Sequence, residues 1–200
     1  MIQRITFKRA KKKGQCPTHG YSVWDGFFNI MLIIYMSKRE CVQCFATTKQ
    51  GARCKKRTCI YSKFCNIHTK QLFNLYLKKS AISNSGMGLI TAKVIESKKR
   101  IAQYTGDILR ADELPSNPTG YSVAIPHNKV IDASSTQSGI ARYANDCRTS
   151  NKAQGYCKGS NAKYSVSTRK GVTSVWVVAT KRIPANTEIF VSYGRGYWNK

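Results

Sequence analysis

Hydrophobic and polar positions change their rhythm near Leu75. Beyond it, runs such as KVIESKKRIAQYTGDIL, YSVAIPHNKVIDASS, AKYSVSTRKGVTSVWVVATKRI and EIFVSYG alternate or cluster Val, Ile, Tyr and Thr between turn residues. A period of two, enriched in β-branched and aromatic side chains, predicts strands. TRKG (168–171) and IPAN (183–186) read as turns. Helical periods are scarce after residue 80. The best of them, QLFNLYLKKS (71–80), predicts a helix that bridges the two parts of the chain. The pattern is that of a mainly β domain with a small N-terminal appendage.

Before Leu75 the pattern is different. The apolar run FFNIMLIIYM (27–36) is ten residues long, half of the roughly 20 that cross a bilayer. It follows a basic stretch, leads into charged SKRE and lacks a small-residue cleavage site. A buried strand or helix is expected there rather than an anchor or signal peptide, and Met36 is a second candidate start. The expected organisation is a basic and apolar segment over 1–37, a Cys- and Lys-dense module over 38–70, and a β-rich domain over 78–198.

Charge alters the picture more than composition does. Hydrophobic residues at 42% suffice for a core, while 34 Lys and Arg against 9 Asp and Glu give a net charge of +25. Half of the basic residues and only two of the acidic ones, Asp25 and Glu40, precede Ser80. Such a surface attracts polyanions, and the N-terminal half is the expected nucleic-acid contact.

Six of the eight cysteines lie between Cys16 and Cys65. In CVQCFATTKQGARCKKRTCIYSKFCNIH, Cys65 and His68 are spaced to meet one ion from a single turn. Cys44 and Cys54, on either side of a turn at Gly51, supply two further ligands. Thiolates and an imidazole in so short a segment suit zinc, which replaces a core that the segment is too small to build. Cys41 and Cys59 compete for the same role, since Cys41-x2-Cys44 is itself a chelating pair. The segment resembles a small Cys-Cys-Cys-His module of large DNA viruses and some protists. That resemblance implies an intracellular protein of a host nucleus, viral factory or virion. Lys49, Arg53, Lys55, Lys56, Arg57 and Lys63 surround the expected zinc site.

Four stretches of the β-rich part carry chemistry. They are SGMGLITAK (85–93), IAQYTGDIL (101–109), ARYANDCR (141–148) and IPANTEIFVSYGRGYW (183–198). The first has close-approach glycines but not the Gly-Lys-Ser/Thr ending of a phosphate loop. In order and spacing, GMGLITA, YTGD, RYANDC and NTEIFVSYG resemble the signature of SET-domain protein lysine methyltransferases. The likeness covers residues 78–198. It implies small curved β-sheets in which the third and fourth motifs form a knot-like active site, with S-adenosylmethionine as methyl donor and a protein lysine, such as that of a histone or nucleosome, as the expected acceptor.

Methyl transfer needs a neutral amine, yet free lysine has a pKa of about 10.4. An apolar channel disfavours the ammonium, and tyrosine hydroxyls orient the amine without adding charge. By resemblance, Tyr193 stands at the transfer site, Tyr104 is a second tyrosine there, and Tyr121 is a candidate for the lysine channel or an ordinary strand residue. Met87 and Gly88 are expected to offer backbone groups to the cofactor. Asn145 and Asp146 match an Asn-His pair that binds it, with Arg142 alongside. Tyr197 and Trp198 are a C-terminal lid or simple packing.

Two departures stand out. Asp146 occupies the family's histidine position, and RTSNKAQGYCKGS (148–160) is inserted before Asn161. Cys147 and Cys157 are expected as free thiols, His127 as a loop residue, and His19 as no metal ligand. These departures support an alternative reading: a zinc- and charge-dependent chromatin-binding protein with an inactive SET-like domain.

Overall fold

The computed structural model describes residues 41–60, 63–114, 120–135, 138–147 and 159–194. The expectations for residues 1–37, Cys157, Tyr197 and Trp198 fall outside them.

The first described unit is small. Strands β1 (Val42–Gln43) and β2 (Arg57–Thr58) pair antiparallel, and helix α1 (Asn66–Phe73) follows. The helix ends at Asn74, which turns left-handed at φ 55°. The predicted helix over 71–80 is therefore wrong from Asn74 onward. Leu75–Lys79 forms strand β3, paired antiparallel with β4 (Met87–Thr91). The reason is visible in LYLKK: Leu75 and Leu77 are buried and Tyr76 between them is half-exposed. That period of two outweighs the weak helical period once β4 offers a partner.

Short sheets make up the remainder. Strand β5 (Arg100–Tyr104) lies against β11 (Val172–Ala179), which forms a hairpin with β10 (Ala162–Arg169). The β10–β11 connection is Lys170-Gly171, both at positive φ (48° and 76°). Such a two-residue turn matches the right-handed twist of the strands, so TRKG behaves as expected. A third sheet has the order β6 (Asp107–Arg110), β8 (Lys129–Asp132), β7 (Ser122–Ile125). His127 sits in the turn between β7 and β8 at φ 65°. Along β11, Val175, Val177 and Ala179 are buried in alternation, and with Leu89, Ile183, Ile189 and Val191 they form the centre of the core.

Two features set up the site. Strand β9 (Asn145–Asp146) pairs parallel with β12 (Phe190–Val191), Asn145 opposite Phe190 and Asp146 opposite Val191. This brings two motifs about 45 residues apart in sequence side by side. Second, the chain must bend sharply after β5. At Gly106 a Cβ would lie 2.1 Å from the Asp132 carbonyl oxygen, so only glycine fits beneath the end of β8.

Candidate active site and metal centre

The N-terminal unit is built around sulfur. Cys44, Cys54 and Cys65 are buried together, packed by Ala46 and Phe64. Hairpin hydrogen bonds from Cys44 N to Lys56 O and from Cys54 N to Ala46 O place the first two thiols across the β1–β2 loop. Cys65 caps α1, and one turn later His68 Nδ1 lies 3.3 Å from Cys65 Sγ and 3.5 Å from Cys44 Sγ. The four ligand atoms lie within 4.8 Å of one another. Tetrahedral zinc with Zn–S bonds of about 2.3 Å separates its sulfurs by about 3.8 Å, so a small contraction suffices. Burial raises both the Cys44 and the Cys65 thiol. At Cys44 the backbone N–H groups of Cys65 and Ala46 and the side chains of Cys65 and Cys54 together outweigh it and bring the thiol below its ordinary value, while Cys65 stays above. Cys41 and Cys59 are bonded to each other and leave the ligand set.

The second centre is a clamp around Glu188. This carboxylate is buried, and Oε1 accepts from Ser80 Oγ (2.7 Å) and Asn145 Nδ2 (3.1 Å), while Oε2 accepts from Ala81 N (3.0 Å). Asn145 Nδ2 also donates to Met87 O (3.1 Å). A Cβ on Gly88 would fall 2.1 Å from Glu188 Oε1, which explains the glycine. Asn161 then extends the knot: its Nδ2 donates to Glu188 O and its Oδ1 accepts from Phe190 N, each at 2.8 Å. The insertion before Asn161 thus leaves its pairing intact.

Asp146 stands where the family has histidine. Its Oδ2 accepts the backbone N–H of Tyr193 at 2.7 Å, and the side chain is 4% exposed. A carboxylate in that place anchors the tyrosine directly after β12. The Tyr193 hydroxyl donates to Ala144 O (3.2 Å), and the Tyr104 hydroxyl donates to Tyr121 O (2.7 Å). Tyr104 and Tyr164 meet edge to face, with ring centroids 5.5 Å apart. All three tyrosines line a cleft of about 110 Å³ together with Gly120, Ser122, Val123, Ala124 and Arg142. Burial pushes the Tyr104 and Tyr164 phenols above their ordinary range, and neighbouring phenols add to it.

A model of the SET domain matches residues 86–194, more than half of the chain. The chain belongs to the SET-domain family. Among solved structures, this SET chain resembles an active polycomb repressive complex 2 in the stimulated state, at 21% identity and a TM-score of 0.50, covering 62% of this chain and 16% of that one. An apo ctPRC2 with mutations in Ezh2 matches at 22% identity and a TM-score of 0.49, covering 60% of this chain and 15% of that chain. For ctPRC2 in an autoinhibited conformation bound to S-adenosylmethionine, the identity is 22% and the TM-score 0.48, with the same coverages. The SET chain therefore spans about a sixth of the length of the chains it matches. No curated protein matches it significantly.

Several expected roles change in the SET framework. Tyr121 does not line the cleft with its ring; that ring lies near Arg142 and Tyr143, and it is the Tyr121 carbonyl that serves Tyr104. Arg142, expected beside the cofactor, is among the residues that line the tyrosine cleft. Its Nη1 donates to the carbonyls of Ala133, Ser134 and Ser135. Cys147 is disulfide-bonded rather than free. Tyr164 and Glu188 were missed. The alternation of AKYSVSTR marks Tyr164 only as a strand residue, and Glu188 shows its importance only when Gly88 is seen against it.

Two outcomes follow from this geometry. Purified protein is expected to hold one zinc per chain by elemental analysis, and Cys54→Ser to lose it together with the structure of residues 41–73 in hydrogen exchange. Tyr104 and Tyr164, whose folded pKa values lie above the unfolded one, contribute stability that is fully present below about pH 10 and is lost as pH rises further. Denaturant midpoints measured from pH 8 to 11 are expected to fall above pH 10, and less steeply in Tyr164→Phe.

Proposed function

We propose that this chain is a protein-lysine methyltransferase that uses S-adenosylmethionine, with a histone in a nucleosome as the substrate class. The observation that carries this reading is the cleft itself. Three tyrosines line a volume suited to the end of one alkyl side chain, and one of them, Tyr193, is tied to Asp146 of β9.

The donor set fits a cationic methyl donor. Neutral oxygens, the Tyr193 and Tyr104 hydroxyls and the Ala144 carbonyl, would tolerate a positive centre and polarise its methyl without capturing it as an ion pair, while Arg142, which also lines the cleft, is bound to backbone carbonyls. Met87, Gly88, Asn145 and the backbone of Asp146 would hold this cofactor, which supplies an electrophilic methyl group when bound. Gly86, at φ 69° with open space beside its Cα, lets a ligand approach the same strand end closely. Tyr193 orients the incoming amine, because Asp146 fixes its backbone and Ala144 its hydroxyl. Tyr104 is immobilised through Tyr121 O, and Tyr164 closes the wall.

The zinc-bearing unit supplies the second part of the proposal. Lys49, Lys55, Lys56 and Lys63 are exposed, whereas Arg53 is tied to Cys44 O and Gln43 O and Arg57 to Cys41 O. Nucleosomal DNA is the natural partner for these lysines, since a +25 enzyme repels a free basic tail. The alternative of an inactive chromatin-binding protein rests on Asp146 and the insertion; against it stand Tyr104 and Tyr193, both present in the cleft, and Asp146 bound to the Tyr193 backbone.

Labelled methyl transfer tests the reading. Wild type is expected to label nucleosomes, and Tyr193→Phe to lose at least about 100-fold in kcat with its fold intact. Failure of well-folded wild type to label nucleosomes or mixed lysate proteins favours the binding-protein reading. Nucleosomes are expected to be labelled faster than free histones at low salt, with the difference shrinking as salt rises; equal rates throughout would remove DNA recruitment.

A further inference from the structure

We propose that the apolar run FFNIMLIIYM (27–36) of this chain seats itself in an apolar groove between α1 and β5, and so fastens the N-terminal unit to the SET sheets. This docking does not depend on the methyltransferase reading.

The groove has a volume of about 420 Å³. That is the size of a binding pocket, usually roughly 300–1,000 Å³, rather than of a packing defect. Two parts of the chain build it. Phe64, Phe73 and Leu75 come from α1 and its flanks, while Ile101, Ile140 and Trp176 come from β5, the 3-10 turn Ile140–Tyr143 and β11. Gly139 lets that turn close on β5: its N–H donates to Thr105 Oγ1 at 2.8 Å, and a Cβ on it would fall 2.6 Å from the same oxygen. The walls offer few polar handles. Thr69 Oγ1 already donates to Phe64 O, and Thr105 Oγ1 already accepts from Gly139. Lys63 is the one charged residue among the described lining, and it is exposed.

Phe73 packs against Phe64 with ring centroids 5.6 Å apart, yet it is 52% exposed. An apolar concavity of this size, bordered by a half-exposed phenylalanine, is a surface to be covered, because apolar area left in water costs free energy in proportion to its extent. The groove is also separate from the tyrosine cleft. Ile101, Gln103 and Thr105 line the groove, and Tyr104, on the alternate face of β5, lines the cleft.

Reach and chemistry select the occupant. Phe45 N donates to Lys63 O at 3.0 Å, so the chain just after β1 lies against the groove wall. Met36 precedes Phe45 by nine residues, which span at most about 30 Å. A tether of that length holds its segment at an effective concentration in the millimolar range, which a second copy or a foreign chain at micromolar concentration does not match. The run carries no charged side chain over its ten residues, half of the roughly 20 that cross a bilayer. It therefore needs an apolar protein surface, and the groove supplies one beside its tether. A segment seated there touches α1 and β5 at once. Burial of the run and attachment of the zinc-type unit to the SET sheets then become one event.

Photo-crosslinking in the full chain tests the docking. With p-benzoylphenylalanine in place of Ile33, crosslinks within one chain are expected to Phe73, Ile101, Ile140 or Trp176. Gln103 is exposed and lies opposite Trp176 in the pairing of β5 with β11. Gln103→Trp fills the groove from its surface side and is expected to cut those crosslinks at least about fivefold. Isotope-labelled and ordinary chains, mixed before irradiation, identify the source of the occupant. Crosslinks of mixed mass show a second copy in the groove, and crosslinks confined to other surfaces show that the run docks elsewhere. Either result overturns the proposal.

Hydroxyl-radical footprinting adds a side-chain readout. Phe73 and Trp176 are expected to be protected in the full chain and to be labelled several-fold faster in Ile33→Asp, while Tyr164 in the separate cleft keeps its rate. Equal labelling of Phe73 and Trp176 in the two folded chains means that the groove stands open for a foreign partner, which also overturns the docking. If Ile33→Asp does not fold, the crosslinking experiment decides alone.

Discussion

The buried carboxylate of Glu188 is the constraint around which the SET part is arranged. It accepts from a serine hydroxyl and a backbone N–H at the end of β3, and from the amide of Asn145 at the start of the knot. A buried carboxylate is expensive unless its lone pairs are filled, and breaking one such contact leaves the others unbalanced. The clamp therefore ties together three stretches that share no local sequence relation. Gly88 is its steric counterpart, since any side chain there would displace the carboxylate.

From that clamp, order propagates to the chemistry. Asn145 is held, so β9 is held. Strand β9 pairs with β12, and Asp146 reaches across to the N–H of Tyr193. The hydroxyl of the same tyrosine returns to Ala144, one residue before the clamp. A phenol fixed at both its backbone and its oxygen loses little further freedom when a substrate arrives, and this preorganisation is what an alignment-driven transfer requires. The zinc-type cluster is stabilised in a different way. Its three buried thiols and one imidazole organise a segment with almost no hydrocarbon core, and α1 connects that segment directly to β3.

How much of this was legible varied with the range of the interaction. The clustering of Cys44, Cys54, Cys65 and His68 could be read from spacing, because a chelating turn and a hairpin are local. TRKG could be read for the same reason. The stretch LYLKK could not: its helical and strand patterns nearly tie, and only pairing with β4 decides between them. Tyr164 and Tyr121 differ in the same way. Both are strand tyrosines in sequence, but Tyr164 faces the cleft and Tyr121 turns its ring to Arg142.

The sequence by itself determined the family, through four motifs in order, and the chemistry available to it: neutral phenols, an amide-carboxylate pair and a soft-ligand cluster. These follow from residue identity and short spacing, which the chain carries without folding. Only the tertiary structure decided which partners the residues take. It made Asp146 an anchor for Tyr193, joined Cys41 to Cys59, and bound the Arg142 guanidinium to the carbonyls of Ala133, Ser134 and Ser135. Each of those outcomes depends on the direction of a side chain across a long-range contact, and direction is fixed by packing rather than by composition.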